Sequence, residues 1–315
     1  MSEKTPFHEG ELQAQKLAGE TVEGESNGAM IDDKLMLGVL NFIRAQKMAI
    51  VSSRDAQGRR WASILLGVAG FMEPQDRKTL AITVDAADND LGDVLWENLR
   101  GDDHVGALII QLHNRQRLRI NGRADFADGK LTLRVEESYV NCPKYITRRE
   151  FEVAPMPPVN ASRKRGALQG RKLGKAQTAL LKSTDVLFLA TGHPERGADA
   201  SHRGGNPGFV EVVDENTLRI PDYSGNSLFN TLGNLLVDAH YGMLIPDFRG
   251  GRMLQLTGTA RVNWSENDLE HCSGGTGRFV EFQIEEWRER PMAARATDAA
   301  LQYSPYNPNG REFGK

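Results

Sequence analysis

The sequence predicts a mainly β, α+β protein in which two partly closed antiparallel barrels pack together with approximate two-fold symmetry. Three observations predict this fold class. Short apolar segments bounded by turn residues follow one another at close spacing, which is typical of barrel strands. The strands do not alternate with long helical segments, so a doubly wound parallel sheet is not favoured. The second half of the chain also repeats motifs of the first half in the same order.

The composition is that of a globular protein without a strongly charged partner. The chain has 315 residues, 39% of them hydrophobic, and a formal net charge of −3, so neither nucleic acid nor a membrane is expected as a partner. Its two cysteines, Cys142 and Cys272, suit a reducing compartment and form no CxxC pattern, and no metal site is predicted. The N-terminal segment contains no apolar run long enough for a signal peptide or a membrane span, and a cytoplasmic location is expected.

The N-terminal segment, residues 1–31, is predicted to form one short helix followed by a loose loop. The helix covers the periodic patch at residues 9–17, between stretches rich in Glu, Gly and Ser. From Asp32 to Ile43, apolar residues recur at near-helical spacing, which predicts an amphipathic helix capped by Asp32 and Asp33. This helix opens the first barrel, residues 32–154.

A β-hairpin is predicted next, with strands at residues 48–52 and 61–66 around a turn at residues 55–58. Apolar runs then predict strands at residues 80–84, 105–112, 117–126 and 131–140 and a helix at residues 90–99. These elements complete the first barrel.

An internal repeat predicts the second barrel. Ala62-Ser63 recurs 138 residues later as Ala200-Ser201, and Asn121-Gly122 corresponds to Thr257-Gly258 at an offset of 136 residues. The ordered matches predict tandem barrels packed as a pseudo-dimer, with a linker at residues 155–175 and a second barrel with a C-terminal tail at residues 176–315. The basic run at residues 163–165 is typical of a solvated linker. The remaining barrel surface leaves room for association into a homodimer.

The turn at residues 221–227 lies between a predicted strand and a periodic segment at residues 228–237. Its small, amide-rich and hydroxyl-rich residues suit a phosphate, because such a turn leaves backbone N–H groups pointing outward. They equally suit an ordinary helix cap. The corresponding turn of the first copy instead carries Asp85, Asp88 and Asp90, whose charges would repel a dianion. The repeat therefore favours a phosphate site in the second copy and predicts one such site for the pair.

Several motifs together resemble a known family. In the first copy they are residues 55–63, 118–123 and 141–149, and in the second they are residues 199–205, 208–210 and 220–226 with Asn230 and Asn234. They are similar to the pyridoxamine 5′-phosphate oxidase-like flavoproteins. The resemblance implies tandem split β-barrels of the FMN-binding type, with FMN held in a groove where the two barrels meet.

The resemblance also implies a set of cofactor-binding residues. In the second copy they are Ser201, Arg203, Pro221, Asp222, Tyr223, Ser224, Gly225, Asn226, Ser227, Asn230 and Gln255. The first copy is expected to add Lys144, Tyr145 and Arg148 across the interface. Gln255 would bond the pyrimidine edge of the flavin, and an outward-facing strand glutamine is an equal alternative.

The function that follows from the resemblance is that of an FMN-dependent oxidoreductase acting on an unidentified small substrate, with an electron donor such as NAD(P)H. The flavin would supply the chemistry, so no catalytic side chain is identified. The alternative is a non-catalytic protein that binds or stores flavin or haem. Cys142 is expected to be a buried structural thiol and Trp287 a core residue. The sequence has no Ser-His-Asp arrangement, HExxH motif or P-loop, which disfavours hydrolytic and phosphoryl-transfer enzymes.

Overall fold

The computed structural model describes residues 5–154, 168–297, 299 and 301–308. Among these residues, no helix is both long enough and apolar enough to cross a membrane. The N-terminal part contains the helices α1 (Glu9–Ala18) and α2 (Thr21–Gly28), a short 3-10 helix (Leu37–Val39) and α3 (Leu40–Arg44).

The first half continues with seven strands and one helix, and then a short eighth strand. The strands are β1 (Met48–Arg54), β2 (Arg60–Leu66), β3 (Met72–Pro74), β4 (Thr79–Thr83), β5 (His104–Gln111), β6 (Gln116–Ala127), β7 (Lys130–Val140) and β8 (Phe151–Val153), and α4 (Val94–Gly101) lies between β4 and β5. The first seven strands form one antiparallel sheet in the order β2-β1-β5-β6-β7-β4-β3.

The second half is likewise built mainly of strands, with two helices among its described residues. Its strands are β9 (Leu168–Gly170), β10 (Val186–His193), β11 (Gly197–Gly204), β12 (Glu211–Val212), β13 (Thr217–Pro221), β14 (His240–Asp247), β15 (Arg252–Asn263), β16 (Phe279–Pro291) and β17 (Ala294–Ala296), and its helices are α5 (Lys175–Ser183) and α6 (Asn230–Val237). The second sheet has the order β11-β10-β14-β15-β16-β13-β12, with β9 added at β16, while β17 pairs with β8.

The two large sheets share one strand order, with β1 to β7 replaced in turn by β10 to β16. Each sheet also has a register shift at the same place, between Asn121 and Gly122 in the first and between Thr257 and Gly258 in the second. A Cβ on Gly122 would lie 1.9 Å from the Arg134 carbonyl oxygen, and a Cβ on Gly258 would lie 2.0 Å from the Gln283 carbonyl oxygen. Both bulges therefore require glycine. The prediction of a mainly β fold with antiparallel sheets is confirmed.

The sheets pack against each other through an apolar layer. Each sheet has its own buried core, and a third cluster between them includes Ile50, Phe188 and Leu244. Close backbone approach occurs twice: a Cβ on Gly106 would lie 2.6 Å from Asp199 Cα, and a Cβ on Gly242 would lie 2.5 Å from the Arg60 carbonyl oxygen. This packing brings the ends of strands from both sheets to common clefts.

Three sequence-based predictions of local structure need correction. The predicted loose N-terminal loop contains α2, whose residue Gly24 packs against Gln15 of α1. The predicted helix from Asp32 to Ile43 is limited to the 3-10 turn and α3, because Asp32 pairs its backbone with Ser138 instead. Helix α6 begins at Asn230 rather than at residue 228. In the predicted linker, residues 155–167 lie outside the described part, and β9 follows them.

Candidate functional site

A narrow cleft opens where the first sheet meets the second, and we call it the basic cleft. Its cavity volume is about 90 Å³. The first half supplies Arg117 and Arg119 of β6 and Asn141, Cys142 and Tyr145 of the segment after β7. The second half supplies the end of β11, residues 202–204, residues 222–232 apart from 224 and 228, and Arg278.

Four arginines give the basic cleft its charge. Arg117 and Arg119 lie on the same face of β6, because side chains two residues apart on a strand point the same way. The Arg119 guanidinium donates to Asp199 at 2.9 Å. Arg278 and Arg203 share the buried Asp222, at 3.0 and 3.4 Å. Arg278 also donates to Glu20 at 3.1 Å, so three carboxylates pair with three of the four guanidinium groups.

Arg117 has no carboxylate partner among the residues that the structure describes. Its Nε donates to the Cys142 carbonyl oxygen at 3.1 Å, and its Nη1 lies 3.1 Å from His202 Nδ1. Desolvation lowers the pKa of Arg117 to about 10, so the group still carries its charge at neutral pH. A partly desolvated cation without a counter-ion is costly, and it marks a place where an anion would bind.

His202 adds an unused donor to the same cleft. Burial and the surrounding arginines hold its pKa well below the usual value, so the ring is neutral. A guanidinium can only donate, so Nδ1 accepts from Arg117 and Nε2 carries the proton. Nε2 has no partner in the described residues, although His202 is only 3% exposed.

The turn after β13 lies along the basic cleft and does not cap α6. The N-cap of α6 is Phe229, in the left-handed region at φ +59°, and its side chain makes no capping hydrogen bond with a described residue. The backbone N–H groups of Gly225, Asn226 and Ser227 have no acceptor in the described chain. The capping alternative is therefore excluded, and the free amides remain available to an anion.

The conformation of this turn does not depend on glycine. Gly225 has no positive φ, and a Cβ there would meet nothing closer than 4.0 Å. The left-handed positions are Ser227 and Phe229. Gly225 thus keeps a surface open without being needed for the bend.

Most of the residues expected to bind a cofactor lie in or beside the basic cleft. Those that line it are Arg203, Asp222, Tyr223, Gly225, Asn226, Ser227, Asn230 and Tyr145. Ser224 accepts a hydrogen bond from the Tyr145 hydroxyl at 2.8 Å, and Pro221 ends β13. Ser201 lies beneath the surface, 0% exposed, with its hydroxyl 2.9 Å from that of Thr231.

Lys144, Arg148 and Gln255 lie away from the cleft lining. The Lys144 ammonium lies over the ring of Tyr306, and Arg148 donates to the His113 carbonyl oxygen at 2.6 Å. Gln255 is fully buried at the opposite end of the contact between the sheets, where it donates to Asp93 at 3.0 Å and to the Ala62 carbonyl oxygen at 2.9 Å. Gln255 therefore does not line the basic cleft, and its alternative, an outward-facing strand position, is wrong because the side chain is fully buried.

The surroundings of Gln255 are the structural counterpart of the basic cleft, and we call them the closed counterpart. By strand position, Met253 and Gln255 replace Arg117 and Arg119, and Leu65 replaces Arg203. The cavity measures about 10 Å³ and is lined by Asp88, Asp90 and Asp93 among others. Arg290 is bound to Asp90 there at 2.6 Å, and the space is too small for an anion.

Cys142 and Trp287 have different surroundings. Cys142 is only partly buried and lines the basic cleft, with its Sγ 3.8 Å from Arg117 Nη2. The expectation of a buried structural thiol is therefore wrong. Trp287 lies in the core of the second half and donates to the Lys172 carbonyl oxygen at 2.8 Å, as a core residue.

The N-terminal helices hold the second half of the basic cleft in place. Glu20 accepts from Ser227 at 2.6 Å and from Arg278 at 3.1 Å, and Asn27 donates to the Asn226 carbonyl oxygen at 2.9 Å. Glu11 of α1 accepts from Asn230 at 2.5 Å. Burial raises the pKa of Glu11 to about 8, because the charged form is poorly solvated there.

This shift predicts that Glu11 makes stability depend on pH. The unfolded chain releases this proton near pH 4.5 and the folded chain near pH 8. The stability that Glu11 confers is therefore complete below about pH 4.5 and is lost as the pH rises to about 8. Glu11→Gln, which stays neutral, should flatten the dependence of Tm on pH in this window. Thermal unfolding followed by circular dichroism across the window, with the exposed Glu9→Gln as control, measures this. Parallel profiles for Glu11→Gln and the unsubstituted protein would contradict it.

A nearby cluster of His8, Glu9 and His193 has metal-ligand spacing but unsuitable ring protonation. His8 Nδ1 accepts from the Gly10 amide at 3.1 Å, and His193 Nδ1 accepts from the Glu195 amide at 3.0 Å. Each ring consequently carries its proton on Nε2, which leaves no lone pair for a metal ion.

Comparisons with known proteins give only distant likenesses. No protein-family model matches the chain, and no curated protein matches it. A putative pyridoxamine 5′-phosphate oxidase from Lactobacillus delbrueckii is 18% identical, with 38% of this chain and 97% of that chain covered and a TM-score of 0.32. HupZ of Group A Streptococcus is 12% identical, covering 40% of this chain and 99% of that one, with a TM-score of 0.31. An FAD-binding protein from Mycobacterium smegmatis is 14% identical, covering 41% and 100%, with a TM-score of 0.28. Likenesses this weak assign neither a family nor a function.

Three arginines and one histidine of the basic cleft were absent from the set expected from the sequence: Arg117, Arg119, Arg278 and His202. A signal existed for two of them. Arg117 and Arg119 alternate with the apolar Leu118 and Ile120, which places two cations on one face of a strand. No local pattern indicates Arg278, since it reaches Asp222 from a distant part of the chain.

Proposed function

We propose that the protein binds FMN with its phosphate in the basic cleft and acts as an FMN-dependent oxidoreductase on a small substrate. The observation that carries the proposal is Arg117, a desolvated guanidinium without a carboxylate partner in the described chain. Four of the sequence motifs that resemble pyridoxamine 5′-phosphate oxidase-like flavoproteins, residues 118–123, 141–149, 199–205 and 220–226, contribute residues to the same cleft.

The residues present fit the phosphate of FMN. A phosphate needs several donors and a positive field, and the cleft offers Arg117, His202 Nε2–H and the amides of the turn. Asp222 is neutralised by two arginines, so its charge does not oppose an anion. The cavity of about 90 Å³ is below the range of roughly 300–1,000 Å³ typical of ligand pockets. The cleft would therefore hold the phosphate and not the whole cofactor.

The side chains around the cleft would bind and orient the cofactor. Tyr145 and Tyr223 have ring centroids 4.9 Å apart, and the Tyr145 hydroxyl links the first half to the turn through Ser224. Asp199 fixes the orientation of Arg119, and Asp222 fixes that of Arg278. FMN, when bound, supplies electron exchange with a donor such as NAD(P)H and with the substrate.

We expect one flavin per chain. The closed counterpart has about 10 Å³ of space, uncharged side chains where the basic cleft has guanidinium groups, and the carboxylates of Asp88, Asp90 and Asp93 in its lining, so a phosphate should be excluded there by size and by charge. The flavin absorbance of dialysed, FMN-loaded protein, divided by the protein concentration, measures the ratio. A ratio near two would contradict this prediction.

The proposed function is tested by comparing FMN with riboflavin, which lacks the phosphate. Quenching of flavin fluorescence should show tighter binding of FMN, and equal affinities would argue against a phosphate site. Anaerobic addition of NADH or NADPH to the FMN-loaded protein then tests the enzyme activity. A flavin that is bound but stays oxidised with both donors and with cell extract would favour a storage protein.

A further inference from the structure

We propose that Cys142 is an oxidation site and that its sulfinate form occupies the anion site of the basic cleft. The inference goes beyond the proposed function, because it needs the anion site and does not need FMN. Cys142 is only partly buried, and it lines the basic cleft together with Arg117 and His202. A negative charge placed on this sulfur would therefore lie inside the positively charged cleft.

Arg117 contacts Cys142 twice. Its Nε donates to the Cys142 carbonyl oxygen at 3.1 Å, and its Nη2 donates to Cys142 Sγ at 3.8 Å. The backbone contact holds the guanidinium beside the sulfur. Because Arg117 has no carboxylate partner among the described residues, an anion on this sulfur would supply the counter-charge that the guanidinium lacks.

His202 is an independent sign that the space beside Cys142 receives an acceptor. Its Nε2–H has no partner in the described chain, although the residue is only 3% exposed. A buried donor that is left without an acceptor is costly, and the oxygens of a sulfinate are acceptors. The cavity of about 90 Å³ also has room for hydrogen peroxide, since about 10–15 Å³ is enough for a water molecule.

The oxidation consumes two molecules of hydrogen peroxide. In the first step the sulfur bonds to one peroxide oxygen as the O–O bond breaks, and the other oxygen leaves as water with the thiol proton. The resulting sulfenic acid reacts in the same way with a second peroxide, which gives sulfinic acid and a second water. The sulfinic acid then releases its proton to solvent. In each step sulfur loses two electrons, and these reduce one peroxide.

The chain has no second accessible thiol that would divert the sulfenic acid into a disulfide. Its only other cysteine, Cys272, is 7% exposed, and no disulfide joins it to Cys142. Burial raises the pKa of the Cys272 thiol, which disfavours the thiolate that reacts with peroxide. Cys272 is therefore an internal control for the oxidation of Cys142.

Peptide mass spectrometry after treatment with hydrogen peroxide measures where the oxidation occurs. We expect Cys142 to gain two oxygen atoms while Cys272 remains a thiol. Inorganic phosphate should slow the reaction at Cys142, because it occupies the same cleft. Equal oxidation of the two cysteines, or a rate at Cys142 that phosphate does not change, would overturn the proposal.

The Tm after oxidation tests the pairing of the sulfinate with Arg117. Cys142→Ser, treated with peroxide in the same way, is the reference, because it reports the oxidation of every residue other than Cys142. Relative to this reference, oxidation should raise the Tm of the unsubstituted protein, since the sulfinate neutralises a desolvated cation. In Arg117→Met oxidation should lower the Tm, because the sulfinate then has no cation beside it. Changes of the same sign in both proteins would contradict the pairing.

Calorimetric titration with inorganic phosphate tests whether the sulfinate occupies the anion site. Oxidation should weaken phosphate binding by about tenfold or more, which corresponds to the loss of a charge-assisted hydrogen bond. Treated Cys142→Ser should bind phosphate as it does before treatment. If the oxidised protein binds phosphate as the reduced protein does, the proposal fails. The proposed function fails separately, when untreated protein binds FMN no more tightly than riboflavin.

Discussion

Arg117→Met is expected to lower the affinity for FMN by about tenfold to a hundredfold, because a charge-assisted hydrogen bond contributes about 1.5–3 kcal/mol. Affinity for riboflavin should not change, since riboflavin has no phosphate. Folding stability should fall little, because no described carboxylate depends on Arg117 for its charge balance. Fluorescence titration with both flavins, together with thermal unfolding, measures all three quantities.

Arg123→Met is the control for Arg117→Met. Arg123 lies on the same strand, β6, but is exposed and pairs with Asp103 and Glu136 outside the cleft. Its substitution should leave both flavin affinities unchanged. A loss of riboflavin affinity in Arg117→Met as large as the loss of FMN affinity would contradict the role assigned to this guanidinium.

The second large effect is expected for Arg119→Met, and it concerns folding. Arg119 and Asp199 are 8% and 4% exposed, and they bond at 2.9 Å. Removing one member of a buried ion pair leaves an uncompensated charge, which costs about 3–5 kcal/mol. The free energy of unfolding from denaturant titration should fall by that amount, in contrast to the small change expected for Arg117→Met.

A double-mutant cycle separates the loss of the pair from the loss of packing. Arg119→Met with Asp199→Asn removes both charges and should recover part of the stability lost in Arg119→Met alone. If the double variant is as unstable as the sum of the two single variants, the buried charge is not the cause. Asn230, which also accepts from Arg119, would then be the next partner to replace.

The sheet strands could be predicted from the sequence because their signal is local. Apolar runs such as residues 48–52 and 105–112 predicted β1 and β5, and the repeat predicted that the second half would follow the first. Helix α2 could not be predicted in this way. Its sequence has glycines and no apolar period. The helix is held by contacts of Glu20 and Asn27 with residues distant in the chain and by packing of Gly24 on Gln15 of α1.

The sequence predicted the residues of the candidate site that one continuous turn supplies. It did not predict the residues that separate strands supply one at a time. The turn at residues 221–227 was predicted as a unit and lies at the basic cleft, apart from its first and fourth residues. Gln255 was grouped with this turn but lies at the other end of the interface, because the sequence does not say which of two related clefts a strand residue reaches. The importance of Arg117 depends on the absence of a carboxylate around it in the described part of the chain, which only tertiary structure reveals.

The difference between the basic cleft and the closed counterpart has a consequence for how substitutions act on this chain. In an assembly of two identical subunits, every change occurs at both ends of the interface, so a costly unpaired cation would be present twice. In a single polypeptide the two ends of the interface can differ in sequence. Here Met253 and Leu65 occupy the positions that Arg117 and Arg203 hold at the other end. Substitutions in the closed counterpart should therefore change the free energy of unfolding, and substitutions in the basic cleft should change the ligand affinity.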